Sequence, residues 1–168
     1  IETILLHLTK QLCTAIDATS AYINEIDEKQ GVYTVIAEYI SPNACDEEKV
    51  SDLGESYPMS SEPLGGNSPM DESQWVRELQ QGLHEVDHID DPNLSKSNFE
   101  EMEQFGAKSI LFIPLKIRGK LIGYSELWES RHKREFTSEE IDLCILISRQ
   151  GTSAIENARL FEQTQQAT

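Results

Sequence analysis

The sequence predicts an α+β domain built on a central, mainly antiparallel sheet of about five to six strands. Two observations carry this reading. Apolar residues recur at helical spacing at both ends of the chain, and the segments between them hold runs of strands. Runs of strands flanked by terminal helices place both helices on one face of the sheet. The other face is then roofed by a long loop and short helices, an arrangement that makes a pocket. A length of 168 residues, 38% of them hydrophobic, suits one such domain and leaves little room for two.

Element by element, Ile1, Leu5, Leu8, Leu12 and Ile16 mark a helix over 1–17. "TSAYINEID" and "GVYTVIAEYIS" read as two strands joined by a turn at Glu28 to Gly31. Pro42 to Ser73 is weakly patterned, and "SSEPLGGNSPMDES" within it is dense in Ser, Gly and Pro, so a loop or lid is expected there. "DESQWVRELQQG" reads as a short helix, "LHEVDHI" as a short strand and "SKSNFEEMEQFG" as a second short helix closed by Gly106. Two apolar runs around a basic turn, "SILFIPLKIRGKLIGYSELWE", form a hairpin. Thr137 and Glu140 then make a capping box, with Phe136 stapling to Ile141, and a helix runs from there past Phe161. Ser148, Gly151, Ala154 and Ala158 lie on one side of it, small enough for close approach. The last residues, from about 160 to 168, are expected to start a linker helix toward an output domain.

The net charge of −16 repels nucleic-acid phosphates and anionic lipid, which excludes both as main partners. No apolar run approaches the ~20 residues of a membrane span. Cys13, Cys45 and Cys144 are an odd set without CxxC spacing, so a reducing cytoplasm is the expected compartment. The chain opens inside a helical pattern and is expected to be a segment of a longer protein.

From Phe105 to Glu162, Pro114-Leu115, Gly119, Ile122-Gly123, the "FTSEE" start and the "AIENARL" end stand in a recognisable order and spacing, and "DLGESYP" and Leu79 to Gly82 agree with it. This pattern resembles a GAF domain of the phytochrome and cyanobacteriochrome-like branch of sensory modules. The resemblance implies a ligand pocket on the sheet face away from the terminal helices, homodimers through those helices, and a signal passed along the last one. It also implies a regulatory rather than enzymatic role in a signalling protein such as a sensor histidine kinase. Bilin-binding members carry a Cys-His pair after Leu-Ser-x. Here Leu94 and Ser95 match, but Ser97 and Asn98 replace the pair. Serine cannot form the thioether, so no covalent bilin is expected and the cofactor stays unknown. By the same alignment Trp128 replaces a histidine that faces the chromophore, which puts Trp128 on the pocket side. The cyclic-nucleotide motif is present only in fragments, and the cysteines are too scattered for methionine sulfoxide chemistry. A non-covalent tetrapyrrole or cyclic nucleotide and a ligand-free dimerisation module are the alternatives.

Hairpin register decides what Glu126 sees. A three-residue loop at Ile117 to Gly119 pairs Lys116 with Lys120. It places Leu111, Ile113, Leu115, Leu121, Gly123, Ser125 and Leu127 on the helix side. Ile110, Phe112, Pro114, Ile122, Tyr124, Glu126 and Trp128 then share the other side. In that register Phe112 stands opposite Tyr124, and Lys108 is diagonal to Glu126. A buried carboxylate needs a partner, and either Lys108 or a bound ligand answers. The candidate ligand-binding residues are Tyr57, Met59, Trp75, Phe99, Met102, Ile110, Phe112, Tyr124, Glu126 and Trp128. His84 and His88 fall on one face of the expected strand but roughly 13 Å apart, too far to chelate one ion. A haem with His88 as single axial ligand stays open.

Overall fold

In the computed structural model, which describes residues 1–58, 77–79 and 81–167, helix α1 (Glu2–Ala15) leads into strands β1 (Ser20–Asp27) and β2 (Val32–Ile40). A 3-10 turn at Glu47–Lys49 and a short strand β3 (Ser56–Pro58) follow, both within the weakly patterned stretch and ahead of the expected loop over 60–73, which lies outside the described residues. Beyond it come β4 (Glu85–His88), helix α2 (Lys96–Phe105), the hairpin of β5 (Ser109–Ile117) and β6 (Lys120–Glu129), and helix α3 (Ser138–Ala167). The six strands form one sheet in the order β3-β2-β1-β6-β5-β4, with every pair antiparallel. β3 is an edge strand of three residues, too short to announce itself by alternation.

Both terminal helices pack on one sheet face. Leu5, Leu8 and Leu12 of α1 and Cys144, Ile147 and Ile155 of α3 meet Ile23, Leu111, Ile113, Leu115 and Leu127. The small residues of α3 serve this approach: Ser148 Oγ donates to Ser125 Oγ at 3.1 Å, and a Cβ on Gly151 would stand 3.6 Å from Ile23 Cδ1. Cys13 and Cys144 are buried here as small hydrophobes, and burial pushes each thiol up to about 12. The capping box closes reciprocally, with Glu140 N donating to Thr137 Oγ1 at 3.1 Å and Thr137 N to Glu140 Oε1 at 2.9 Å. Phe136 and Ile141 both pack against the helix-side core.

The hairpin corrects the expected register. Its turn has two residues, Arg118 (φ 52) and Gly119 (φ 78), both left-handed, and Ile117 pairs with Lys120. Such a turn matches the right-handed twist of the flanking strands. Alone it would flip the faces of β6, but the register shifts again: Lys116 pairs with Leu121 and Leu115 with Gly123, leaving Ile122 as a bulge. Faces beyond the bulge are therefore as expected, while partners are not. Phe112 stands opposite Glu126, Pro114 opposite Tyr124 and Ile110 opposite Trp128. Leu121 and Ile122 exchange sides, Ile122 joining the helix-side core and Leu121 the other. Gly123 is required just past the bulge, because a Cβ there would lie 2.1 Å from the carbonyl oxygen of Asn24 on β1.

Candidate functional site

Trp128, Tyr124, Phe112 and Ile110 lie on the sheet face away from α1 and α3, buried together with Tyr22, Tyr33, Leu121 and the roofing Met102. Phe99 of α2 and Tyr57 of β3 pack against this cluster, half-buried. Eight of the ten predicted residues are thus gathered on one face; Met59 and Trp75 lie outside the described residues. α2 is held over the cluster by its own ends. Ser95 caps its start, accepting from Asn98 N at 3.3 Å, and Gly106 closes it in the left-handed conformation at φ 79. Asn98 also donates through Nδ2 to the buried Asp87 carboxylate at 2.8 Å, tying α2 to β4.

The aromatic rings form two groups, Tyr22, Trp128 and Phe105 in one and Phe112, Tyr124, Tyr33 and Tyr57 in the other. Tyr22 and Trp128 have centroids 4.8 Å apart, Phe105 and Trp128 5.9 Å, Phe112 and Tyr124 6.0 Å, Tyr33 and Tyr124 5.6 Å, and Tyr33 and Tyr57 5.3 Å. These are the offset and tilted separations that aromatic pairs favour. At the end of the second group the Tyr57 hydroxyl donates to Asp52, whose carboxyl burial pushes above the usual range against that hydrogen bond.

Glu126 sits in the middle of this apolar face, between Tyr22 of β1 and Phe112 of β5, and is only 4% exposed. The expected ion pair with Lys108 does not form. Lys108 is exposed, and the carboxylate is held instead by Asn24 Nδ2, donating to Oε2 at 2.6 Å, and by Trp128 Nε1, donating to Oε1 at 3.3 Å. Both donors are neutral. Burial therefore dominates and raises the Glu126 carboxyl to about 7, although the two hydrogen bonds pull it down; the charges of Asp52 and Asp87 add to the rise. Asn24 carries a second anomaly. Its Oδ1 is buried without a hydrogen-bond partner, which costs free energy unless something else donates to it.

A second buried carboxylate, Glu129, faces the helix side from the same strand. Arg131 Nη2 reaches it at 2.9 Å and Arg134 Nη1 at 3.2 Å. The same guanidinium groups donate to the carbonyls of Asp17 and Ile16 at the end of α1, and Arg134 also pairs with Glu140 at the start of α3. Burial works to raise the Glu129 carboxyl, but hydrogen bonds and charge from Arg131, with Arg134, outweigh it and hold it below the usual range. A third acid, Glu48, is buried in the 3-10 turn, accepting from Thr19 Oγ1 at 2.6 Å, from Ser20 Oγ, and from Cys45 N at 3.1 Å.

The histidine motif resolves differently from its expected placement. His84 precedes β4 and is exposed; His88 lies on β4, with Nδ1 2.7 Å from Ser109 Oγ and Nε2 3.7 Å from the Glu135 carboxylate. Among the described residues no group of three His, Cys, Asp or Glu side chains could hold a metal ion, and no helix is long and apolar enough to cross a membrane. At the expected bilin-attachment position, Ser97 offers a hydroxyl and Asn98 is bonded to Asp87, so the pair does not fit covalent attachment.

A sheet with terminal helices on one face and an aromatic, acid-bearing site under a short helix on the other agrees with the family comparison, in which the GAF domain model matches residues 1–155. The chain belongs to the GAF domain family. Solved GAF domains share its fold at low identity. The blue-light-absorbing form of the PixJ GAF domain of Thermosynechococcus elongatus is 17% identical at a TM-score of 0.74, over 99% of this chain and 90% of that one. A phycoerythrobilin-bound GAF domain of a cyanobacterial phytochrome is 18% identical at 0.71, over 96% and 88%. A domain assigned to a two-component sensor histidine kinase of Sinorhizobium meliloti is 19% identical at 0.67, over 99% and 97%. No curated protein matches the sequence. GAF domains are sensory and regulatory modules that bind small molecules; they are typically non-catalytic, even when part of a larger enzyme.

Tyr22, Asn24 and Tyr33 were absent from the sequence-derived site. Tyr22, Asn24 and Ile26 alternate along β1, so a period of two marks their common face. That this face meets Glu126 depends on β1 pairing with β6, a contact between residues more than a hundred positions apart.

Proposed function

We propose that this GAF domain is the small-molecule sensor of a cytoplasmic signal-transduction protein, a histidine kinase or a related multidomain sensor. The ligand binds non-covalently against Phe112, Tyr124, Glu126 and Trp128, with Tyr57, Phe99 and Met102 around it. The observation that carries the reading is the polar pair in the aromatic face. Glu126 has only neutral donors, and Asn24 Oδ1 has none. A ligand that donates to these oxygens would relieve both costs, while the rings supply stacking area. Binding would move β6, and the Glu129–Arg131–Arg134 clamp links the end of β6 to both α1 and α3. α3 then relays the change to a partner helix in a homodimer.

The alternative is a ligand-free dimerisation module. The near-complete burial of Met102, Tyr124 and Trp128 within the aromatic-side cluster favours it. Native mass spectrometry of the purified domain, paired with melting-temperature screens, decides. A co-purifying small molecule that is lost in Glu126→Ala supports sensing. Empty protein whose melting temperature no metabolite shifts supports the scaffold. Light scattering reads the dimer separately.

A further inference from the structure

The helix layer does not cover the whole of its sheet face. A cavity of about 700 Å³ opens between the start of α1, the middle of β2, the Leu53-Gly54 turn and the second half of α3. Leu5, Ile36 and Ile155 contribute apolar surface to its lining. Leu6 and Leu53 stand at its rim, each 54% exposed. Four carboxylates also line it, from Glu2, Glu25, Glu38 and Glu162, against a single guanidinium, Arg159, which is itself paired with Glu25 at 3.1 Å. Glu38 accepts from Ser51 Oγ and Asp52 N, which are neutral, so Glu38 and the exposed Glu2 and Glu162 carry charge at the groove that Arg159 does not offset.

We propose that this groove docks a basic amphipathic helix of a partner protein, a site separate from the aromatic face. The shape and the charge both select that occupant. Two helices over an incomplete sheet face leave a slot that a third helix completes, laying its apolar side on the floor. The exposed leucines carry apolar surface beyond the cavity; a small molecule would leave them wet, and a helix covers them. Acidic side chains flanking an apolar floor complement Lys or Arg flanking an apolar stripe. A second copy of a chain with net charge −16 is a poor match for this acidic groove, and the homodimer proposed above has the exposed Leu143, Leu146, Leu160 and Phe161 of α3, none of which lines it, to use instead. This chain's own segment 59–76, which has no Lys or Arg, is a poor match too. Because α1 and α3 form the walls, an occupant would bias the same two helices that the Glu129 clamp joins, giving the domain a protein input beside its small-molecule one.

The test is fluorescence anisotropy with a labelled 14-residue helical peptide of Leu and Lys, and a Leu/Glu peptide of the same pattern. The Leu/Lys peptide is expected to bind, more weakly as salt rises. Glu2→Lys with Glu162→Lys should weaken it roughly tenfold, and Leu6→Ser should weaken it as well. Glu100→Lys with Glu103→Lys, the same charge change on α2, should leave affinity within about twofold. Circular dichroism checks that each variant is folded. Equal loss in the two charge-reversal pairs would reduce the binding to general attraction and overturn the proposal. Absence of binding to folded protein, or equal binding of the Leu/Glu peptide, would overturn it too. Self-association relieved by Leu6→Ser would assign the groove to a second copy instead.

Discussion

Glu126 and Glu129 are three residues apart on one strand, and both are buried, yet their surroundings treat them in opposite ways. Glu126 faces the aromatic side, where its donors are an amide and an indole, and its carboxyl is raised to about 7. Glu129 faces the helix side, where two guanidinium groups hold its carboxyl below the ordinary range. The strand's alternation alone separates them. Burial works to raise both carboxyls; the charge of their hydrogen-bond donors decides the net direction. One face is assembled to hold a charge permanently, the other to hold one reluctantly.

The largest effect is expected from breaking the permanent charge. Glu129→Ala leaves Arg131 and Arg134 without their buried counter-charge and should cost about 3 kcal/mol in urea denaturation at neutral pH. Because the folded pKa of Glu129 is depressed, its stabilisation is fully present above the unfolded value and is lost as pH falls through the folded one. The gap between wild type and variant should therefore narrow on acidification.

Glu126→Gln should act in the opposite direction and more weakly. The folded pKa is raised, so from roughly pH 4.5 to 7 the folded state keeps a proton that the unfolded state releases. Wild-type stability contributed by this group falls across that window and levels off above it. Removing the charge should flatten the slope and make the variant more stable at pH 8 by on the order of 2 kcal/mol, with little difference at pH 4. Urea curves at pH 4, 6 and 8 read this directly, and a variant that keeps the wild-type slope would remove Glu126 as its source.

The smallest change sharpens the comparison by touching neither acid. Thr137→Ala removes the exposed cap of α3 and should cost about 1 kcal/mol at neutral pH. Burial works to raise the Glu140 carboxyl, but hydrogen bonds from Thr137 and Arg134 hold it below the usual range, so the loss should shrink as acidification protonates Glu140. A loss constant with pH would separate the cap from the Glu140–Arg134 pair.

Much of the fold was legible because its signals are local. The capping box needs only Thr137 and Glu140, α2 needs Ser95 and Gly106, and the terminal helices need only their apolar spacing. The faces of the hairpin were legible in outline, since chemistry segregates along β6. Its pairing was not. A two-residue turn and a bulge at Ile122 leave the same faces beyond the bulge as a three-residue turn without one, so side-chain pattern cannot tell them apart. The partners of Glu126 and Glu129 were illegible for another reason. Asn24 reaches Glu126 because β1 is the neighbour of β6, and Arg134 reaches Glu129 because the connection to α3 folds back over the end of α1. Glu48 stayed hidden in a segment whose acids look solvated until Thr19 and Ser20 are brought to it.

The bulge at Ile122 also bears on how this hairpin tolerates insertion and deletion. Removing Ile122 would join the Lys116–Leu121 and Leu115–Gly123 pairs into one unbroken ladder. Everything from Gly123 onward, Glu126 and Glu129 included, would stay on its present side, at the expense of one buried aliphatic side chain. Deleting one residue of the Arg118-Gly119 turn has no such refuge. Relatives of this domain aligned across the hairpin should accordingly place single-residue gaps at position 122 rather than at the turn.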